Sequence, residues 1–180
     1  WATHGKPTTD NAHPHTDCRG DVVVIHNGIV ENYLELRAGL RERGHALRSE
    51  TDTEVVPHLV ETYMDAGDDL LTAFRRTIAR LEGAHAIVVM SSREPGLIIA
   101  ARVGNAGGVV VGYGAGEMFV ASDLAAVLPE TQQVAFLSDG EIARVTADGA
   151  SYIGFDGAPL AKAPQHVPFD PVSAAKGAYK

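Results

Sequence analysis

Apolar positions along the chain follow two regimes. Before Gly83 they recur mostly at helical spacing, and from Ala84 onward they come in short runs broken by Gly, Pro and Asp. The exception in the first regime is Val22-Val23-Val24-Ile25, four consecutive β-branched residues that predict a buried strand from Asp21 to His26. That strand runs into Asn27-Gly28, a pair that tolerates positive φ and turns a chain sharply. Asn32, with Glu35 three residues on, has the spacing to open a helix that places Tyr33, Leu36 and Leu40 on one face and closes at Gly44. Thr51 and Glu54 repeat the capping spacing ahead of a second helix with Val55 or Val56, Leu59, Val60 and Tyr63 inward. Pro57 is tolerable there because it falls in or near the first turn. Asp68 caps a third helix carrying Leu70, Phe74, Ile78 and Leu81, with Gly83 beyond its end.

In the second regime the runs are Ala86 to Met90, Leu97 to Arg102, Val109 to Tyr113, Met118 to Ala121, Val134 to Leu137 and Glu141 to Thr146. Their spacing predicts successive, mostly antiparallel strands. Ile87-Val88-Val89-Met90 and Val109-Val110-Val111 are apolar at every position, so both faces of the sheet need covering, by helices on one side and a second sheet on the other. Asp123 to Leu128 reads as a short helix. The first twenty residues are a polar loop rich in Gly, Pro, Thr, Asp and His. At the far end Pro, Ala and Lys accumulate, so 1–161 is read as the domain and Lys162 to Lys180 as a linker leading away.

Composition narrows the function classes. Apolar residues at 45% and charged residues at 21% are ordinary for one globular domain of 180 residues. A net charge of −8, with no Lys or Arg run, argues against a nucleic-acid surface. No apolar run has the length to span a bilayer, so no membrane partner is expected. The single cysteine, Cys18, excludes an internal disulfide and fits a reducing, cytoplasmic setting.

Several residues invite chemistry. Asn27-Gly28 at a strand end supplies a carboxamide and an unobstructed N–H, the donors of an oxyanion hole, but taken alone a plain turn is the simpler reading. His13-Pro14-His15, with His4 and His26, suggests a metal, yet spacing is its only support and a hydrogen-bonding pair is the simpler reading. No metal and no cofactor are therefore expected. Cys18 lies between Asp17 and Asp21, which oppose thiolate formation, and reads as a lone unreactive thiol. Asp52 alone is an ordinary first-turn carboxylate, although Ser49-Glu50-Thr51-Asp52-Thr53-Glu54 holds more polar residues than a cap needs.

The order of four strings is more specific than any one of them: Trp1-Ala2-Thr3-His4-Gly5, Asn11-Ala12-His13-Pro14-His15, His26-Asn27-Gly28-Ile29-Val30-Glu31-Asn32 and Ser49-Glu50-Thr51-Asp52-Thr53-Glu54-Val55. Together with Gly83-Ala84, Ala121-Ser122-Asp123 and Lys176-Gly177-Ala178-Tyr179-Lys180, they resemble the glutaminase domain of the glutamine–fructose-6-phosphate aminotransferase family, whose members make glucosamine 6-phosphate. The resemblance spans nearly the whole chain. It implies an α+β fold, the αββα sandwich of the N-terminal-nucleophile amidohydrolases, incomplete at the N-terminus. It also implies a reaction in which a first-residue Cys attacks the glutamine amide, its own α-amino group acts as base, and ammonia passes to the sugar phosphate.

By residue match, Asn27 and Gly28 would form the oxyanion hole and Asp52 would hold the glutamine α-amino group. Thr3 and His4 would lie at its carboxylate, Trp1 would belong to a loop closing over the substrate, and His13 would position that loop. Glutamine, a fructose-6-phosphate-binding isomerase domain and a second copy in a homodimer are the implied partners. The sequence begins at Trp1, so the nucleophilic Cys would lie ahead of it, and these 180 residues alone are expected not to hydrolyse glutamine. Amidophosphoribosyltransferase, which shares the fold and an Asn-Gly, is the sister alternative. A non-catalytic glutamine-binding or interaction module is the alternative from another class.

Overall fold

β1 (His15–Thr16) and β2 (Val22–Gly28) pair antiparallel and begin the larger of two sheets. Three helices follow: α1 (Tyr33–Glu42), α2 (Val55–Asp65) and α3 (Leu70–Ile78). The remaining strands are β3 (His85–Ser91), β4 (Ile98–Val103), β5 (Val110–Tyr113), β6 (Met118–Ala121), β7 (Gln133–Phe136), β8 (Glu141–Thr146), β9 (Gly149–Gly154), β10 (Pro159–Leu160) and β11 (Gln165–His166). This computed structural model describes residues 5–168. Trp1, Thr3 and His4, the Lys176 to Lys180 string and the end of the expected linker lie outside them.

Seven strands in the order β1-β2-β3-β4-β8-β9-β10 form one sheet and four in the order β11-β7-β5-β6 form the other. Every pairing is antiparallel. Alternation along the strands sorts the side chains into layers. Val22, Val24, Ile87, Val89, Ile99 and Ile142 pack with Leu36, Leu40, Leu59 and Phe74 of the helices. Ala86, Ala100 and Ala143 on the opposite face meet Val109, Val111, Ala135 and Leu137 of the second sheet. Outside that second sheet, Val110 and Val134 are covered by Val127, Leu128 and Val167, beside a 3-10 turn at Leu124–Ala126. The architecture is thus the expected α+β sandwich of helices, sheet and sheet, with a thin outer cover.

The apolar runs mark six strands and the periodicity marks all three helices, but local details differ from the sequence expectation. β2 does not stop at His26; it continues through Asn27 and Gly28, which pair with Ala86 and His85. Nor is β2 buried on both faces, since Ile25 is 46% exposed. The Asn32 side chain makes no cap bond to α1. Its carboxamide instead donates to Arg80 O at 2.9 Å and accepts from Glu82 N at 3.1 Å, bridging to the segment after α3. The Thr51–Glu54 capping box does not form either: Thr51 Oγ1 lies 3.1 Å from His15 Nε2. Asp69, not Asp68, caps α3 by accepting from Thr72 N at 2.7 Å, while Asp68 pairs with Arg76. Within the stretch read as a linker, β11 joins β7 and Val167 is buried, so packing continues past residue 161.

Candidate active site

β2 presents its two faces to different surroundings. Val22, Val24 and His26 point into the helical layer, while Ile25 and Asn27 point the other way, toward the second sheet. There a cleft of ≈ 280 Å³ opens between the sheets, lined by Ile25, Asn27, Ala86, Val88, Val109 and Ala121 together with His13, His26, Gly108 and Ser122. It is near the lower end of the size of small-molecule sites, roughly 300 Å³. Among the described residues no hydrogen bond holds the Asn27 carboxamide, so it stands exposed in a mostly apolar wall. Gly28 follows at φ +131, and a β-carbon there would sit 2.2 Å from Ala84 O and 2.9 Å from His26 Nε2. Only glycine fits.

The polar string before α2 lies behind His13 and His26 of the cleft wall, and three of the other sequence strings reach it. Glu50 N donates to Asn11 Oδ1 at 2.8 Å, and a β-carbon on Gly5 would meet Glu50 Oε2 at 2.5 Å. Thr51 holds His15, as above. Thr53 Oγ1 lies 2.9 Å from His26 Nδ1 and 3.5 Å from His13 Nε2. Asp52 is fully buried, and its Oδ2 accepts the Val30 N–H at 2.7 Å. His26 Nε2 in turn meets His85 Nδ1 at 3.1 Å, so Thr53, His26 and His85 form a buried polar chain under Gly28.

Burial, followed by the neighbouring His85, holds His26 neutral, its pKa pulled down to about 3. Burial lowers His13, His15 and His85 as well, so the histidines here act as neutral hydrogen-bonding groups. Burial pushes the Glu54 carboxyl up, but the nearby His58 ring and hydrogen bonds from Arg48 and Ser49 outweigh it and leave the pKa at about 2. A neutral, preorganised frame around an exposed carboxamide and an unhindered glycine suits stabilisation of a developing oxyanion.

The structure therefore brings Asn27 and His13 to one cleft, with Gly28 next to Asn27 at the strand end and Asp52 buried against Val30. Sequence reasoning missed Thr53 and His85 as parts of the frame. His26 carried a readable signal, because it shares the parity of Val22 and Val24 in β2. His13 and His15 stack edge to face with centroids 5.1 Å apart, each against its own threonine, and do not converge on a shared metal position. Cys18 is absent from the cleft lining, and burial first, then Glu61, raises its thiol pKa.

An antiparallel sandwich thus carries Asn27-Gly28 at a strand end, tied through Val30 to a buried carboxylate. A family profile described as a glutamine amidotransferase domain matches residues 6–129, and the chain belongs to that family. The chain is 48% identical over 180 residues to the glutamine–fructose-6-phosphate aminotransferase (isomerizing) of Aquifex aeolicus, covering all of this chain and 30% of that protein. It is 54% identical over 148 residues to the same enzyme of Methanothermobacter thermautotrophicus, covering 82% of this chain and 25% of that protein. The chain thus spans under a third of the length of these relatives.

Among solved structures, the glutamine phosphoribosylpyrophosphate amidotransferase of B. subtilis aligns with a TM-score of 0.67 at 23% identity, over 84% of this chain and 33% of that one. A structure described as the allosteric regulatory enzyme of purine biosynthesis aligns with a TM-score of 0.70, also at 23% identity, over 86% of this chain and 33% of that one. These two likenesses concern the fold.

Proposed function

We propose that this chain is the glutamine-hydrolysing part of an isomerizing glutamine–fructose-6-phosphate aminotransferase, releasing ammonia for transfer to a sugar phosphate bound by another domain. The observation that carries this reading is the exposed Asn27 carboxamide beside a glycine that no other residue can replace, in a cleft backed by neutral histidines. Asn27 and the Gly28 N–H donate to the tetrahedral oxyanion formed when a thiolate attacks the glutamine amide. Asp52 supplies the anionic charge for the α-amino group, and His13 positions the closing loop to which Trp1 belongs. Thr3 and His4 complete the carboxylate end of the site. The nucleophile is not Cys18, whose thiol is directed at His45 and His58.

The identity of 48% along the entire chain to the Aquifex aeolicus enzyme favours the sugar-phosphate acceptor over the phosphoribosyl one, for which the likeness is only of fold. A homodimeric, cytoplasmic parent accompanies this reading; no helix among the described residues is long and apolar enough to cross a membrane. The test is to join the chain to the Cys-first segment that the family resemblance implies and to measure glutamate release from glutamine. A folded but inert protein would overturn the assignment, whereas glutamine binding without turnover, seen by calorimetry, would favour a sensing module.

A further inference from the structure

Away from the cleft, four side chains from three segments converge. Cys18 comes from the β1–β2 loop, His45 from just beyond α1, and His58 and Glu61 from one face of α2. One ligand atom from each lies within 4.8 Å of all the others. The backbone prepares this. Gly44, at φ +87, closes α1 with Gly44 N–H donating to Arg41 O and His45 N–H to Leu40 O, which turns His45 back toward α2. His58 and Glu61, three apart, share a helix face.

Five of the six spacings among these atoms match a tetrahedron around a small cation, and the sixth, between Cys18 and Glu61, is within 4.8 Å. Zinc–ligand bonds of about 2.3 Å to sulfur and about 2.0–2.1 Å to nitrogen or oxygen imply edges of about 3.3 Å between N or O atoms and about 3.5 Å from S to N. Cys18 Sγ lies 3.5 Å from His45 Nδ1 and 3.4 Å from His58 Nδ1. The two Nδ1 atoms are 3.2 Å apart, and Glu61 Oε2 is 3.0 Å from one and 3.6 Å from the other.

Hydrogen bonding outside the cluster orients its His45 ring. Thr62 Oγ1 donates its one hydrogen to His58 O at 2.9 Å, so its 3.0 Å contact with His45 Nε2 requires that nitrogen to be the donor. Nε2 is thus turned to Thr62, and Nδ1 is the atom that His45 presents to Cys18, His58 and Glu61. His58 Nε2 is buried without a hydrogen-bond partner and lies 3.8 Å from Glu54 Oε1.

We propose that Cys18, His45, His58 and Glu61 form a structural zinc site. On binding, the Cys18 thiol gives its proton to solvent, and the thiolate and carboxylate together neutralise the divalent charge. Thiolate and imidazole donors favour zinc over magnesium or calcium, and four protein ligands leave no open position for water. The ion pins the β1–β2 loop and the end of α1 to α2, the helix that follows the polar string Ser49–Glu54.

The test uses the intact protein that carries this chain. Chelator-treated protein should take up one equivalent of Zn²⁺ and melt at a higher temperature with it. Co²⁺ in its place should give the intense visible bands of tetrahedral coordination and a thiolate charge-transfer band. Cys18→Ser should lose that band, Thr62→Val should weaken Zn²⁺ binding by roughly 10–100-fold, and His166→Ala should change nothing. If Cys18→Ser does not fold, the wild-type Co²⁺ spectrum decides alone. Failure of the chelated wild-type protein to bind either ion, or a weak octahedral Co²⁺ spectrum without a thiolate band, would overturn the proposal. Neither result depends on glutamine turnover.

Discussion

Val30 donates its backbone N–H to Asp52 Oδ2 at 2.7 Å, tying the chain just past Asn27-Gly28 to the polar string that precedes α2. One buried carboxylate therefore fixes the strand end that carries the proposed oxyanion donors, apart from the role proposed for it at the substrate ammonium. Asp52→Ala leaves the Val30 N–H without its acceptor and should lower unfolding stability by about 1–3 kcal/mol, measured by urea denaturation. In an active protein the same change should raise the KM for glutamine. Unchanged stability would limit Asp52 to ligand binding.

Gly28→Ala meets both an unfavourable φ and the Ala84 carbonyl 2.2 Å from the new β-carbon. The conformational part alone costs about 1–2 kcal/mol, and the backbone clash adds to it. Gly20→Ala, at φ +78 with open space around it, should cost only the conformational part. Chemical denaturation of the pair separates the two contributions, and equal losses would refute the close approach at Gly28.

Asn27 points into the cleft and makes no hydrogen bond with the described residues. Asn27→Ala should therefore leave the melting temperature nearly unchanged. It should cost about 3 kcal/mol in the chemical step, through kcat with little change in KM. A loss confined to glutamine affinity would contradict the oxyanion role.

His26 sets a pH dependence. Its pKa is about 3 in the folded protein against an ordinary 6.5, so between these values the unfolded chain holds a proton that the folded chain refuses. Its contribution to stability is present in full above pH 6.5 and falls as pH drops toward 3, with a limiting slope of about 1.4 kcal/mol per pH unit. His26→Gln removes this titration, so the stability difference between wild type and variant should shrink steadily on acidification through that window. A pH-independent difference would show that His26 is not the group responsible.

The sequence alone determined the elements whose cause is local. Apolar runs such as Ile87-Val88-Val89 and the spacing of Leu70, Phe74 and Ile78 become strand and helix because burial acts on side chains two, three or four positions apart. The order of the four polar strings likewise singled out His13 and Asn27, which the fold places in the lining of one cleft. Tertiary structure decided where the polar side chains spend their hydrogen bonds. Asn32 looks like a cap, yet it bonds to Arg80 and Glu82, and Thr51 looks like a cap, yet it holds His15, because long-range partners outcompete a solvent-facing cap once the backbone brings them near. Cys18 read as a solitary thiol for the same reason. Its neighbours His45, His58 and Glu61 lie 27 to 43 residues away, and only the packing of α2 against the β1–β2 loop brings them to one point.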